Sequence, residues 1–196
     1  MKKVSLSGSV RKNVGKKDAK LIRREGLVPA VLYGNKEQTH FALKEVDIKK
    51  LVFTPNVYIV ELDIDGKKAD GIIKEVQMHP VTDRILHIDF YRLFPDKEVT
   101  VAVPVETEGV APGIIKGGTM SKVLKKLKVR AIPANLPDAV VVDISKLDIG
   151  DKVYVSELRN DKYKILHPDN VVVVQVKMSR AAMKAKQDAL KAAKEA

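Results

Sequence analysis

The sequence predicts a mainly β protein with a few helices. It divides into a β-barrel domain over residues 1–95, a second β-rich domain over 96–178, and a basic Ala/Lys-rich tail over 179–196 that is helical or disordered. Three observations carry this. Short runs of alternating apolar and polar residues recur, each bounded by Gly, Pro, Asn or Asp, which is how half-buried strands and their turns read. Only two stretches in the first hundred residues have a helical period with recognisable ends. The tail is Ala and Lys with little to bury, so its helix propensity is high but its packing face is weak.

The elements follow in order. Val4, Leu6 and Val10 form a strand around Ser7-Gly8-Ser9. Lys17 to Glu25 is a helix, with Asp18 near its positive end, Gly26 as its stop and Pro29 confirming that stop. Val31-Leu32-Tyr33 is a strand that ends at the turn signal Gly34-Asn35. Phe41 to Phe53 holds a second helix candidate with Val46, Leu51 and Lys49-Lys50, closed by Thr54-Pro55. Val57 to Ile64 is a strand with Tyr58, Val60, Leu62 and Ile64 on one face. Asp65-Gly66 is a hairpin turn, and Gly71 to Met78 is the returning strand. His79-Pro80 opens a connection to a strand over Ile85 to Leu93. A mostly antiparallel sheet curled into a barrel accommodates these signals.

Phe94-Pro95-Asp96-Lys97 marks the boundary. Beyond it, Val99 to Glu106 alternates as an edge-type strand, with Pro104 restricting its pairing. Gly109, Pro112, Gly113, Gly117 and Gly118 make a loop-rich stretch. Lys122 to Ile132 and Ala139 to Ile144 read as strands, Leu147 to Asp151 as a turn, and Val153 to Val155 and Val171 to Val176 as further strands. A helix as short as the tail is marginal alone, so it is expected to fray or to order against a partner.

Composition narrows the classes of function. The 196 residues are 45% apolar and contain no cysteine, which removes disulfides, thiolate metal sites and a cysteine nucleophile. No apolar run approaches a membrane span, and Ser7, Gly8, Ser9 and Arg11 interrupt any signal-like N-terminus, so a cytoplasmic protein without a membrane partner is expected. No tryptophan and few Phe or Tyr argue against a stacking platform for single strands. The net charge is +11, and residues 1–34 hold +7 of it, with nine Lys/Arg against Asp18 and Glu25. A focused positive field is the footprint of a polyanion site, most often nucleic acid.

Two constellations could use that field. On a helix, Lys16, Lys20, Arg23 and Arg24 fall on one side, leaving Ala19 and Ile22 for the core. Arg11, Lys12 and Tyr33 flank them. A basic helix face can equally be an ordinary solvated face. The second constellation is Val76-Gln77-Met78-His79-Pro80 with Leu86-His87-Ile88-Asp89-Phe90. Leu86, Ile88 and Phe90 share the core face, so His87, Asp89 and Tyr91 project from the other. If Val76 and Met78 are buried, Gln77 projects outward too. Gln, His and Asp can read base edges and 2′-hydroxyls, although a solvated barrel face would show the same spacing. His79, His87 and Asp89 match no familiar metal spacing. Neither a phosphate-binding loop ending in Gly-Lys-Ser/Thr nor a G-x-S-x-G elbow occurs. His40 and His167 stand isolated.

Arg11-Lys12, Gly15-Lys16, Arg23, Gly26, Pro29-Ala30 and Tyr33-Gly34, followed by Val76-Gln77, His79-Pro80 and His87-Ile88-Asp89-Phe90, form a set of residue types at fixed spacings. In this the chain resembles the bacterial large-subunit ribosomal protein family that binds 5S ribosomal RNA, the general stress protein Ctc type (large-subunit ribosomal protein twenty-five). The remainder resembles, less specifically, the longer members with an appended β domain. The resemblance implies a barrel docked on the loop E region of 5S rRNA, whose groove is wide and shallow enough to read. By motif position it implies RNA contacts from Arg11, Lys16, Lys20, Arg23, Tyr33, Gln77, His87 and Asp89. Lys20 departs from the pattern, since relatives often carry arginine, and lysine keeps the charge but loses the planar fork.

The expectation is therefore a non-enzymatic structural constituent of the large ribosomal subunit, cytoplasmic and ribosome-associated, that binds and stabilises 5S rRNA without a cofactor. The second domain's partner is left open between neighbouring ribosomal proteins and 23S rRNA. Two alternatives stand beside it: a conditional, stress-related RNA-binding factor, and a hydrolase using His87 and Asp89.

Overall fold

The computed structural model describes residues 1–34, 37–179 and 183. The expected tail, apart from Ser179 and Met183, lies outside the described residues. The chain divides into two compact units, one of residues 1–101 with 131–138, the other of 102–130 with residues from 139 on.

The first unit contains β1 (Lys2–Val10), α1 (Lys16–Arg24), β2 (Leu27–Gly34), β3 (Glu37–Lys44), α2 (Glu45–Val52), β4 (Tyr58–Ile64), β5 (Lys67–Met78) and β6 (Ile85–Arg92). The six strands close into a barrel in the order β1-β3-β2-β6-β5-β4. Closure removes exposed sheet edges. Alternation builds the interior: Val60, Leu62 and Ile64 of β4 are all at most 4% exposed, and Phe41 of β3 meets Phe90 of β6 with ring centroids 5.8 Å apart. Ile48 and Leu51 of α2 join the same core.

Two glycines have a physical reason. Gly8 is where β1 changes partner, pairing in parallel with Ile64 of β4 and antiparallel with Leu43 of β3. A Cβ there would lie 2.9 Å from the Phe41 ring and 3.0 Å from the Ala42 carbonyl oxygen. Only glycine lets the strands approach this closely. The β4–β5 turn has Asp65 at φ 48° and Gly66 at φ 85°, the left-handed pair a two-residue hairpin requires.

Several expectations need correction. Glu37–Lys44, which had no strand assignment over its first residues and a helix candidate over its last, is β3, and the helix begins only at Glu45. The strand expected from Val31 begins earlier, at Leu27, and takes in Pro29. Pro29 sits inside β2 opposite Ala42, ahead of the point where parallel pairing with β6 begins at Ala30. In β6, Ile85 and not Leu86 reaches the core, at 2% exposure, because the register slips between Gln77/His87 and Met78/Ile85 and leaves Leu86 as the extra residue. The same slip leaves Met78 exposed rather than buried. A second bulge leaves Lys74 unpaired between Ile73 and Glu75. A bulge shifts the inward–outward parity of everything beyond it, and nothing in the residue pattern marks where it falls.

The second unit is built on β7 (Val99–Glu108), α3 (Pro112–Ile115), β8 (Gly118–Lys122), β9 (Lys126–Ala131), β10 (Val140–Asp143), β11 (Lys152–Tyr154), β12 (Lys164–Ile165) and β13 (Val172–Met178). They form a four-stranded sheet in the order β10-β7-β9-β12 and a three-stranded sheet in the order β11-β13-β8. β7 is thus interior rather than an edge. β10 pairs only with Val105 to Glu108, past Pro104, so the missing N–H interrupts no bond to that neighbour.

Candidate RNA interface

α1 is short, and its charge pattern sets its orientation. Ile22 is buried and Asp18, Ala19 and Arg23 are half-buried, which leaves Lys16, Lys17, Lys20 and Arg24 on the solvent side. Lys16 and Lys20 form no ion pair among the described residues. Asp18 in the first turn and Arg23-Arg24 in the last both complement the helix dipole.

The two arginines of the expected site, Arg11 and Arg23, are held by the protein. Arg11 donates from Nε and Nη2 to Asp18 Oδ2 at 3.0 and 2.6 Å, and its side chain is only 7% exposed. It ties the segment after β1 to the start of α1, and its own amide donates to the His40 carbonyl. Arg23 donates from Nε to the Leu86 carbonyl at 2.9 Å. That carbonyl belongs to the bulged residue of β6, so the register slip creates the acceptor that anchors the helix. Arg23 also lines a cleft of about 290 Å³ together with Leu27, Glu45, His79, Thr82 and Arg84.

The polar residues of the second constellation do assemble. β2 pairs with β6 in parallel, which sets Tyr33 beside Tyr91 and Val31 beside Asp89. β5 sets Gln77 opposite His87 and Glu75 opposite Asp89. β3 adds Gln38 opposite Tyr33 and His40 opposite Val31. Opposed residues leave a sheet on the same face, so Tyr33, Gln77, His87 and Asp89 share one surface across three adjacent strands. Tyr33 and Tyr91 meet edge to face, with centroids 5.7 Å apart. His87 Nδ1 lies 2.7 Å from Asp89 Oδ1. Burial pushes the Tyr33 phenol up from its ordinary value, and the carboxylates of Asp89 and Glu75 add to this.

The structure therefore groups four of the expected residues on one face, joins Arg23 to the end of that face through Leu86, keeps Lys16 and Lys20 on the open side of α1, and sequesters the Arg11 side chain. Sequence reasoning missed Glu75, and it missed that His40 opens onto the same face. Both follow from strand register, which only the closed barrel defines. His79, considered above beside His87 and Asp89, instead accepts at Nδ1 from the amides of Val81 and Thr82, both at 3.3 Å, and so holds the β5–β6 turn. Among the described residues no group of three or more His, Asp or Glu is arranged to hold a metal, and no helix is long and apolar enough to cross a membrane.

Comparison with known proteins bears on this arrangement. Residues 6–90 match the Ribosomal L25p family, and residues 98–180 match the C-terminal domain of ribosomal protein TL5. A Large ribosomal subunit protein bL25 from Christiangramia forsetii is 47% identical over 182 residues, spanning 92% of this chain and 83% of the relative. Proteins of the same name from Phocaeicola vulgatus and Porphyromonas gingivalis are each 41% identical, each match covering 93% of this chain and 96% of the relative. The protein is thus a structural, non-enzymatic protein of the large ribosomal subunit. It belongs to the bL25 family. A hydrolase built on His87 and Asp89 finds no support among these relatives, nor does a free stress factor.

Proposed function

We propose that this protein binds 5S rRNA within the large subunit and rigidifies it, working in the bacterial cytoplasm through residues 1–95, with 96–178 as a separate domain. The observation that carries this reading is the grouping of Tyr33, Gln77, His87 and Asp89 on one barrel face, with the cations of α1 anchored at its end by Arg23. Lys16 and Lys20 supply sequence-independent affinity by displacing counterions from phosphates. Gln77, His87, Asp89 and Tyr33 offer donors and acceptors at the spacing of neighbouring strands, suited to the base edges and 2′-hydroxyls of a wide, shallow RNA groove. Arg11 acts by holding α1 in place, and Arg23 anchors the helix beside the cleft it lines.

The test separates the two kinds of contact. Lys16→Gln or Lys20→Gln should weaken binding to many RNAs and flatten the slope of log K against log salt by roughly 0.7–0.9 each. Gln77→Ala should leave the slope nearly intact and narrow the preference for 5S rRNA over an unrelated duplex. Equal slope changes and equal losses of preference in both kinds of variant would sink this division of labour.

A further inference from the structure

We propose that the second unit carries its own contact for an RNA sugar–phosphate backbone: a cationic ridge formed by Lys126, Lys128 and Arg130 of β9 with Lys164 of β12. β9 alternates strictly, with Leu127, Val129 and Ala131 buried and Lys126, Lys128 and Arg130 exposed. The three cations therefore stand in a row about 6.7 Å apart, two strand residues per step. That separation is close to the distance between successive phosphates along one nucleic-acid strand. β12 is antiparallel to β9 and sets Lys164 directly opposite Arg130. Two like charges facing each other across a strand pair are destabilising, so this pairing works against the fold of the free protein.

No ion pair offsets that repulsion among the described residues. Between Glu108 and Asp138 the chain has six cations and no acid. Two of the six are engaged: Lys116 pairs with Asp148, and Lys122 donates to the Val105 carbonyl. Lys126, Lys128, Arg130 and Lys164 form no ion pair among the described residues. Of the acids of the same sheet, Glu106 and Glu108 lie on β7, the strand next to β9, and Asp143 lies on β10 beyond it; none forms an ion pair with the ridge among the described residues. An exposed cationic row with an unfavourable cross-strand pair and no ion-paired carboxylate among the described residues is complementary to a repeating anion. The regular spacing suits a phosphate backbone better than the irregular carboxylates of an acidic protein. The ridge is independent of the barrel face and enlarges the RNA contact beyond it.

The experiment uses the full chain and a duplex RNA probe unrelated to 5S rRNA, with affinity measured over a range of salt. The triple variant Lys126→Gln, Lys128→Gln, Lys164→Gln is compared with a charge-matched control, Lys146→Gln, Lys152→Gln, Lys177→Gln, made at exposed lysines of the same unit. The ridge variant should flatten the salt slope by roughly 2–2.7, from three lost phosphate contacts, and the control by less than one. The same difference should persist in a Lys16→Gln, Lys20→Gln background, so a failure of the barrel-face reading leaves this result readable. An equal slope change in the control, or none in the ridge variant, overturns the proposal. So does an unchanged RNA affinity accompanied by loss of polyglutamate binding, which would assign the ridge to an acidic protein. Lys164→Glu provides a check on folding: it should lower RNA affinity while raising the thermal midpoint, because it converts the repulsive pair into an attractive one. A lower midpoint with RNA affinity intact overturns the proposal as well.

Discussion

His87 and Asp89 leave β6 on the same face, and Asp89 Oδ1 sits 2.7 Å from His87 Nδ1. A carboxylate can only accept, so the contact places a proton on Nδ1 and directs Nε2 away from Asp89. Glu75 is paired opposite Asp89 in the sheet, so the His87 bond also tempers a carboxylate–carboxylate juxtaposition.

Asp89 is therefore expected to act on RNA partly through His87. Asp89→Ala should weaken 5S rRNA binding by about 1–3 kcal/mol. Asp89→Asn should cost less, since its amide oxygen still accepts from Nδ1. Nitrogen NMR of His87 supplies the second readout: the Nδ1–H tautomer should lose population in the alanine variant and keep it in the asparagine variant. Tighter binding by Asp89→Ala would show the carboxylate to be a repulsive bystander.

Arg11 is expected to affect stability first. Its side chain is 7% exposed and its partner's is 26% exposed. Breaking a fully buried pair costs about 3–5 kcal/mol, and partial access of water to Asp18 should reduce that to roughly 1–3. Arg11→Ala and Asp18→Ala should both lower the urea midpoint. If Arg11 were chiefly an RNA contact, Asp18→Ala would release it, raising RNA affinity while the midpoint stayed put.

The Tyr33 phenol is raised by burial first and then by the charges of Asp89 and Glu75. The native state thus holds the proton more tightly than the unfolded chain. Its contribution to stability is complete below the ordinary tyrosine value near 10 and is lost as pH rises through the higher native value. Between those two values, Tyr33→Phe should lose less stability with rising pH than the parent protein. Unfolding free energies at a series of alkaline pH values check this, and parallel declines would remove Tyr33 as a cause.

Gly8→Val should destabilise the barrel by about 1–3 kcal/mol or more, because the new side chain meets the Phe41 ring and the Ala42 carbonyl at the corner where β1 changes partner. Chemical denaturation measures the cost. Gly15→Ala is the control, since a Cβ there meets nothing within 4 Å and φ is extended. Equal effects at the two positions would refute a steric role for Gly8.

Much of the barrel was legible because local signals and packing agree. Tyr58 to Ile64 alternates cleanly, Asp65-Gly66 is a turn for reasons of backbone sterics, and Gly26 with φ +77° ends α1 where a left-handed residue is needed. β3 was not legible. Its burial runs through three consecutive residues, Phe41, Ala42 and Leu43, because it is sandwiched between β1 and β2 with α2 close behind. Such a run has no period that separates strand from helix.

The residues of the interface divide in the same way. Local sequence determined which charges concentrate before residue 35, that Lys16 and Lys20 share one helix face, and that His87 and Asp89 project together, because those facts depend only on the periods 3.6 and 2. Tertiary structure decided the rest. Parallel pairing of β2 with β6 joined Tyr33 to Tyr91, the slip at Leu86 exposed the carbonyl that Arg23 takes, and the approach of α1 to the end of β1 let Asp18 capture the Arg11 guanidinium. Each of these contacts spans strands or elements whose register and distance are set by closing the barrel, and no property of a residue's own neighbours in the chain encodes that closure.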